Sequence, residues 1–381
     1  METSTGGRGV EVAIAGGGII GCAIAYELAR RGVSVAVVER GQVGHEASGA
    51  SAGIISPPSA LDTPPEKARL TARSVLAYPA YIERLQEETG ADSGWRMRGE
   101  LTVALGEADR AELLRVADMQ EGLGFQVEWL DGQAARELEP VLSEQVLGGA
   151  LVREGGSLFS AQLTRAIAEA ARRHGARIIE ATPVLEVLTE GERGQVRGLR
   201  LSSGELPAGQ VVLAAGAWTA GFGLQLGRPL PTVPVKGQML AIAGAPLMPR
   251  RIIGRYGSGH LVPRPDGTVA VGATKEWVEF DKRLSPRNVA WSLELLRQVA
   301  PALLEGEIIS LWAGLRPGSR DEQPLMGAVP GYQGLWVATG HFQTGIQLAV
   351  ITAELMAGSI VAGASDPQLA PFSPARFQDA G

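Results

Sequence analysis

Apolar and polar positions change period several times along the chain, and each change marks an element. Val10–Ala15 is a continuous apolar run, rich in β-branched residues, that stops at Gly16-Gly17-Gly18, the pattern of a strand buried on both faces. From Ile20 to Arg31 apolar residues recur at helical spacing, with Gly32 placed to end the helix. Val33–Val38 is a second buried-type strand, closed by Glu39-Arg40. Strand, helix and strand within roughly 30 residues predict a parallel βαβ crossover.

Further on, the spacing predicts helices over Glu66–Thr89 (bent or interrupted at Pro79), Glu107–Leu123, Leu163–His174, Asn288–Val299 and Gly345–Val361, and a short capped helix over Asp131–Leu138. Strand patterns occupy Trp95–Val103, Val127–Leu130, Arg177–Glu180, Val184–Leu188, Val211–Ala215, Ser310–Leu315 and Leu335–Thr339, while Pro231–Thr274 alternates strands and turns as an antiparallel sheet does. Parallel-type signals at both ends and in the middle imply an α/β, Rossmann-like dinucleotide-binding domain over 1–85, 145–230 and 308–381. Residues 86–144 and 231–307 then form an inserted antiparallel-sheet α+β domain for substrate.

Composition narrows the function classes. The chain has 381 residues, 45 % hydrophobic and 20 % charged, with a formal net charge of −6. That balance, with no basic stripe, argues against nucleic acid; the arginine pairs Arg172-Arg173 and Arg250-Arg251 read as solvated faces. Cys22 is the only cysteine, which excludes an intrachain disulfide and a cysteine-based metal site, and no metal site is expected from any other pattern. Met1–Gly9 reads as a frayed tail. Val10–Tyr26 carries Glu11 and three consecutive glycines, so it reads as strand and turn rather than signal sequence. No apolar run of about 18 residues stands out, so no membrane span is expected and the cytoplasm is the default location.

The chemistry begins at Gly16-x-Gly18-x-x-Gly21, which follows a strand and opens a helix. Gly16 permits the tight turn, Gly18 lets backbone approach a pyrophosphate, and Gly21 lets the helix pack closely on the strand. The helix N-terminus at Ile19 and Ile20 offers N–H groups to phosphate. Eighteen residues beyond Gly21, Glu39 ends the second strand, where its carboxylate can accept from ribose hydroxyls and would repel a 2′-phosphate.

These residues, together with the loop Ala47–Gly53, the segment Trp312–Gly318, Gly340-His341-Phe342 and Gly345-Ile346, resemble the D-amino-acid oxidase superfamily, and within it the glycine oxidases. Thr182-Pro183-Val184, Pro234–Gly237 and Val271–Thr274 match as well, so the resemblance runs from Val10 to about Val361. It implies FAD as cofactor, with Gly16, Gly18, Ile19, Ile20, Gly21, Glu39, Arg40, Ser48, Ala50, Ser51, Ala52, Gly53, Val184, Ala215, Gly216, Trp218, Gly340, Gly345 and Ile346 as contacts. The helix opening at Gly345 would aim its N-terminus at the negative charge of the reduced ring. No cysteine follows Cys22, and His45 lies earlier than the histidine used for attachment in related dehydrogenases, so noncovalent FAD is expected.

Arg316 matches the arginine that grips the substrate carboxylate in the family, a task suited to guanidinium geometry. The implied reaction is hydride transfer from the α-carbon of a small amino acid or amine to flavin N5, with dioxygen reduced to hydrogen peroxide and no obligatory general base. The resemblance also implies a homo-oligomer. Three positions depart from the glycine oxidase pattern: Gln343 replaces an arginine, His260 a tyrosine and Lys275 a methionine. Facing the pocket, His260 and Lys275 would suit a larger or more acidic substrate; turned outward, they would leave a glycine-type site. A flavin dehydrogenase passing electrons to a quinone or carrier, and an electron-relay FAD subunit of a complex, are the alternatives.

Overall fold

The computed structural model describes residues 9–191 and 194–378; the tail expected over residues 1–8 lies outside them. Val10–Ala15 forms the centre of a parallel sheet, between Val35–Val38 and Gly204–Leu213. Arg177–Ile179 and Leu335–Thr339 extend it in parallel, and Leu325–Ala328 closes one edge antiparallel. Layers on both faces explain why these strands read as continuous apolar runs rather than alternating ones. On one side lie helices Ile19–Arg30, Ser160–Arg173, Pro65–Thr89 and Gly345–Ala362, packed through Ile14, Ile24, Leu163 and Met356. On the other, strands Val184–Glu190 and Gln195–Leu201 form a meander with Gly204–Leu213 and bury Val187 and Leu199.

A second sheet contains Val127–Asp131, Gly148–Val152, Glu100–Ala104, Ile252–Arg255, His260–Pro263, Val269–Gly272 and Thr232–Ala243, with Glu307–Ser319 and Glu276–Trp277 alongside the last. Its period-two alternation sends Leu101, Val103, Leu240, Leu261 and Val271 to a core shared with helix Pro286–Val299. The intervening Thr102, Met239, His260 and Gly272 go to the face that meets the first domain. The architecture is the Rossmann-like domain with an inserted, mainly antiparallel second domain.

Particular expectations change. Gly148–Val152 and Glu307–Ser319, assigned to the dinucleotide domain by the boundaries at 145 and 308, are strands of the second sheet. The sheet is not wholly antiparallel: Glu100–Ala104 pairs in parallel with Ile252–Arg255, where the two inserted pieces meet. Pro79 does not interrupt its helix, which is continuous over Pro65–Thr89. The strand expected over Trp95–Val103 begins only at Glu100, because Gly99 has φ +76° and breaks the extended backbone. Finally, the stretch Phe342–Ala362 is long and apolar enough to cross a membrane. Its Ile346, Leu348, Ile351, Leu355 and Met356 are nevertheless buried in the core, so composition alone misreads a core helix.

Candidate active site

The two domains enclose a cavity of about 980 Å³ that runs from the glycine turn to the face of the second sheet. At one end the fingerprint has the packing its glycines predict. A Cβ on Gly16 would lie 2.4 Å from the Ala214 carbonyl oxygen, and Gly16 has φ +116°. At Gly18 the only neighbour of an added Cβ is the Ser48 hydroxyl at 3.4 Å, so here the glycine leaves open cavity. Helix Ile19–Arg30 has no side-chain cap from Gly18 and no acid in its first turn. Its Ile19 N–H donates to Ser48 Oγ at 3.0 Å. Glu39 accepts from the Gly17 N–H and the Gly41 N–H, both at 2.8 Å, which fixes its carboxylate at the end of the second strand.

The wall next to Glu39 is built by stacking. The Arg40 guanidinium lies 3.8 Å from the Trp218 ring centroid, and Trp218 stacks on Phe280 of the second domain at 5.0 Å. Glu46 joins Arg40, at 2.7 Å, to Lys282. Across the cavity, Trp312 donates its indole N–H to the Ala50 carbonyl at 3.0 Å. A Cβ on Gly314 would lie 2.5 Å from that of Ala50, so the small residues of the loop are required by the strand behind it. Helix Gly345–Ala362 likewise opens on the cavity without a side-chain cap or an acid in its first turn. Two uncapped helix starts, a glycine with open space and a carboxylate at the strand end fit a dinucleotide with its pyrophosphate at the first turn.

At the other end is Arg316. Its guanidinium packs against Gly237, where a Cβ would fall 2.4 Å away, and donates to the Thr274 carbonyl at 2.9 Å. No carboxylate among the described residues forms an ion pair with it. Asp321, the partner that sequence proximity suggests, is held by Arg376 at 2.7 Å. Glu276 is taken by Lys236, Thr274 and Gln238. Burial lowers the Arg316 pKa to about 10, against the pull of Glu276. His260 lines the same cavity and sits 3.3 Å from Glu100, which is 5 % exposed. Burial works to raise the Glu100 pKa, but the hydrogen bonds from His260, Ser56 and Thr102 outweigh it and hold the carboxyl below its ordinary value.

Most of the expected site residues therefore line one cavity: Arg316, His260 and Gln343 with Gly16, Gly18, Ile19, Ile20, Glu39, Arg40, Ser48, Ala50, Ser51, Ala52, Val184, Ala215, Gly216, Trp218, Gly345 and Ile346. Gly21, Gly53 and Gly340 do not. Each receives another segment: a Cβ would approach the Gly16 carbonyl to 2.1 Å, the Leu158 carbonyl to 1.9 Å and Leu325 Cδ1 to 2.9 Å, respectively. Lys275 turns outward to Glu322 at 2.8 Å, with its ammonium 4.8 Å from the Phe342 ring centroid. So His260 is on the wall and Lys275 is not. Sequence reasoning missed Glu100; the available signal was a lone acid at the head of the apolar strand Glu100–Ala104.

His341 lies beside the cavity, 1 % exposed, with Nε2 3.1 Å from the Thr352 hydroxyl and Nδ1 buried without a hydrogen-bond partner. Burial, reinforced by the charge of Lys67, depresses its pKa to about 3 from 6.5. Between those values the unfolded chain binds a proton that the folded protein does not. The associated stability is present above pH 6.5 and is lost as pH falls toward 3. His341→Asn is therefore expected to flatten the fall in Tm between about pH 7 and pH 4. Equal slopes for parent and variant in thermal melts across that range would remove His341 from the acid response.

Comparison with known proteins agrees with this geometry. A family model described as FAD dependent oxidoreductase (DAO) matches residues 11–359. The chain is 35 % identical over 365 residues to a glycine oxidase of Geobacillus kaustophilus (strain HTA426), covering 95 % of this chain and 96 % of that protein. It is also 35 % identical over 375 residues to a glycine oxidase of Pseudomonas aeruginosa (strain PAO1), covering 96 % and 98 %. The crystal structure of glycine oxidase from Geobacillus kaustophilus superposes with a TM-score of 0.90 at 33 % identity, covering 96 % of this chain and 98 % of that one.

Proposed function

The chain belongs to the DAO family of FAD-dependent oxidoreductases and is an amino-acid or amine oxidising enzyme, and from that premise we propose that its substrate is a small amino acid such as glycine, sarcosine or a small D-amino acid. The observation that carries this reading is Arg316: a half-buried guanidinium on the cavity wall with no carboxylate partner among the described residues. Such a cation is a receptor for the substrate's carboxylate, because a charge-assisted, two-pronged hydrogen bond would satisfy it. FAD, when bound, would supply the redox chemistry, a two-electron oxidation of the substrate at its α-carbon with dioxygen as the final acceptor and hydrogen peroxide as the second product. The imino acid formed from a primary amine takes up water and releases ammonia, leaving the oxo acid; that formed from sarcosine releases methylamine instead.

In this proposal the glycine turn, Glu39, Arg40 and the Ser48–Ala52 loop hold the cofactor, with Trp218 and Val184 on the nucleotide side. Arg316 orients the substrate, and Gln343 offers its amide at the mouth of the site. An amino acid arrives as the ammonium, whereas hydride loss from the α-carbon requires the neutral amine. His260, backed by the buried Glu100 carboxylate, is the group on the wall suited to accept that proton and stabilise the resulting imidazolium.

The test is a peroxide-coupled assay of glycine, sarcosine, D-alanine and D-proline across pH 6–10. The reading expects peroxide from at least one of them. Glu100→Gln should lower kcat/KM about 10²-fold near pH 7, with the deficit shrinking toward pH 10, as a growing fraction of the substrate amine becomes neutral. A variant equally impaired at every pH would mean that Glu100 only shapes the pocket. Absence of peroxide with every substrate would remove the oxidase reading.

A further inference from the structure

The second cavity, of about 200 Å³, is separate from the site above and is walled by Arg96, Arg98, Arg250, Arg251 and Arg264, with Ser157 at its side and no acidic residue among its lining residues. Sheet register brings these distant arginines together. Ile252 pairs with Glu100 in the parallel stretch, so Arg98 and Arg250 lead side by side into neighbouring strands, and Arg98 Nη1 donates to the Arg250 carbonyl at 3.3 Å. Arg96 bridges to Ser157, whose hydroxyl donates to the Pro263 carbonyl at 3.1 Å. That contact brings the turn carrying Arg264 over the same opening.

Of the five, only Arg251 forms an ion pair, with the fully buried Glu139 at 2.7 Å. Glu139 spends its second oxygen on the Arg250 backbone N–H at 2.9 Å. Arg96, Arg98, Arg250 and Arg264 have no carboxylate partner within ion-pair distance among the described residues. Arg264 is instead held above the Trp312 ring at 5.0 Å and the Phe159 ring at 5.9 Å, which fixes its guanidinium. Asp266, the nearest acid in sequence, is occupied by the N–H and hydroxyl of Thr268.

Like charges held in one pocket repel, and an anion would relieve that repulsion. Guanidinium forks match tetrahedral oxyanions in geometry, and the volume lies below the range of about 300 Å³ and upward typical of drug-sized ligands. We propose that this pocket binds a small phosphate-type polyanion, orthophosphate or pyrophosphate or the phosphate end of a metabolite, as a site distinct from the oxidation site. The Arg250-Arg251 pair of the sequence, exposed at Arg250 as expected, is thereby also part of an anion receptor. The inference stands independently of the substrate reading.

Isothermal titration of the FAD-loaded protein with inorganic pyrophosphate and with orthophosphate, at low ionic strength, tests it. The expected result is saturable one-to-one binding, tighter for pyrophosphate and weakening as salt is raised. Affinity should drop at least about tenfold in the double variant Arg98→Gln/Arg250→Gln, whose flavin spectrum stays that of the parent. Should that variant fail to fold, phenylglyoxal labelling of the parent gives the answer: pyrophosphate should protect Arg98, Arg250 and Arg264 from modification. No saturable binding of either anion, an unchanged affinity in the folded double variant, or no protection of these arginines would overturn the proposal.

Discussion

Arg316→Met is expected to yield a folded, yellow protein whose kcat/KM for amino-acid substrates has fallen about 10³-fold and whose Tm has risen by a few degrees. Both effects follow from the same observation. The guanidinium is half-buried and, among the described residues, has no carboxylate partner and the Thr274 carbonyl as its hydrogen-bond acceptor. In the free protein it is a partly desolvated charge without a counter-ion among those residues, and replacing a buried charged group by an apolar side chain of similar size is neutral or stabilising by about 1–4 kcal/mol. In the substrate complex it becomes half of a desolvated ion pair, whose truncation costs roughly 2–5 kcal/mol. Arg316→Lys tests geometry apart from charge: one ammonium cannot reproduce the two-pronged grip, so most of the loss should persist. Parallel measurements of flavin content, Tm and kcat/KM check the prediction. A drop in Tm alongside the lost activity would mean that Arg316 is a structural residue.

Gly18→Val is expected to fold and to purify colourless, whereas Gly16→Ala is expected not to accumulate as folded protein. The two glycines are two residues apart but differ in what surrounds them. Gly18 has φ −73° and ψ 176°, which a β-branched residue adopts readily, and an added Cβ meets only the Ser48 hydroxyl at 3.4 Å. The side chain then occupies cavity volume that the cofactor requires. At Gly16 an added Cβ would be 2.4 Å from the Ala214 carbonyl oxygen on a φ of +116°, so the strain falls on the central sheet itself. The ratio of flavin to protein absorbance, read with circular dichroism, separates these outcomes. Retention of FAD by Gly18→Val would move the cofactor's phosphates away from the helix start at Ile19.

These contrasts also show what a sequence carries and what it does not. The fingerprint was legible because each of its elements is local: an apolar run, a glycine turn, a helical period and a terminal acid lie within residues 10–39. The structure then supplies the partner each residue needs, as when Glu39 accepts from Gly17 and Gly41. Sheet membership was less legible. Glu307–Ser319 pairs along Thr232–Ala243, more than sixty residues earlier, and strand patterns do not state their partners. Gly21, Gly53 and Gly340 belong to a third case: the packing role of Gly21 was read directly, whereas the segments that press on Gly53 and Gly340, at Leu158 and Leu325, are not stated by the local pattern.

Charge partners were the least legible feature. His260, Lys275 and Arg316 look alike in a sequence, as isolated cations or imidazoles in strand regions. Their roles diverge because of residues far along the chain: Glu100 reaches His260, Glu322 draws Lys275 outward, and no carboxylate among the described residues pairs with Arg316. The arginines around Arg250 are gathered by equally distant contacts, the strand register and the Ser157 bond to Pro263.

The most direct test of the account is anaerobic titration of the purified holoenzyme's flavin absorbance with glycine, sarcosine, D-alanine and D-proline, followed by air. The account predicts bleaching by at least one of these, rapid recovery on admitting oxygen, hydrogen peroxide in stoichiometric yield, and bleaching about 10³-fold slower in Arg316→Met at the same concentrations. A flavin that none of these amino acids reduces in the parent protein would contradict it.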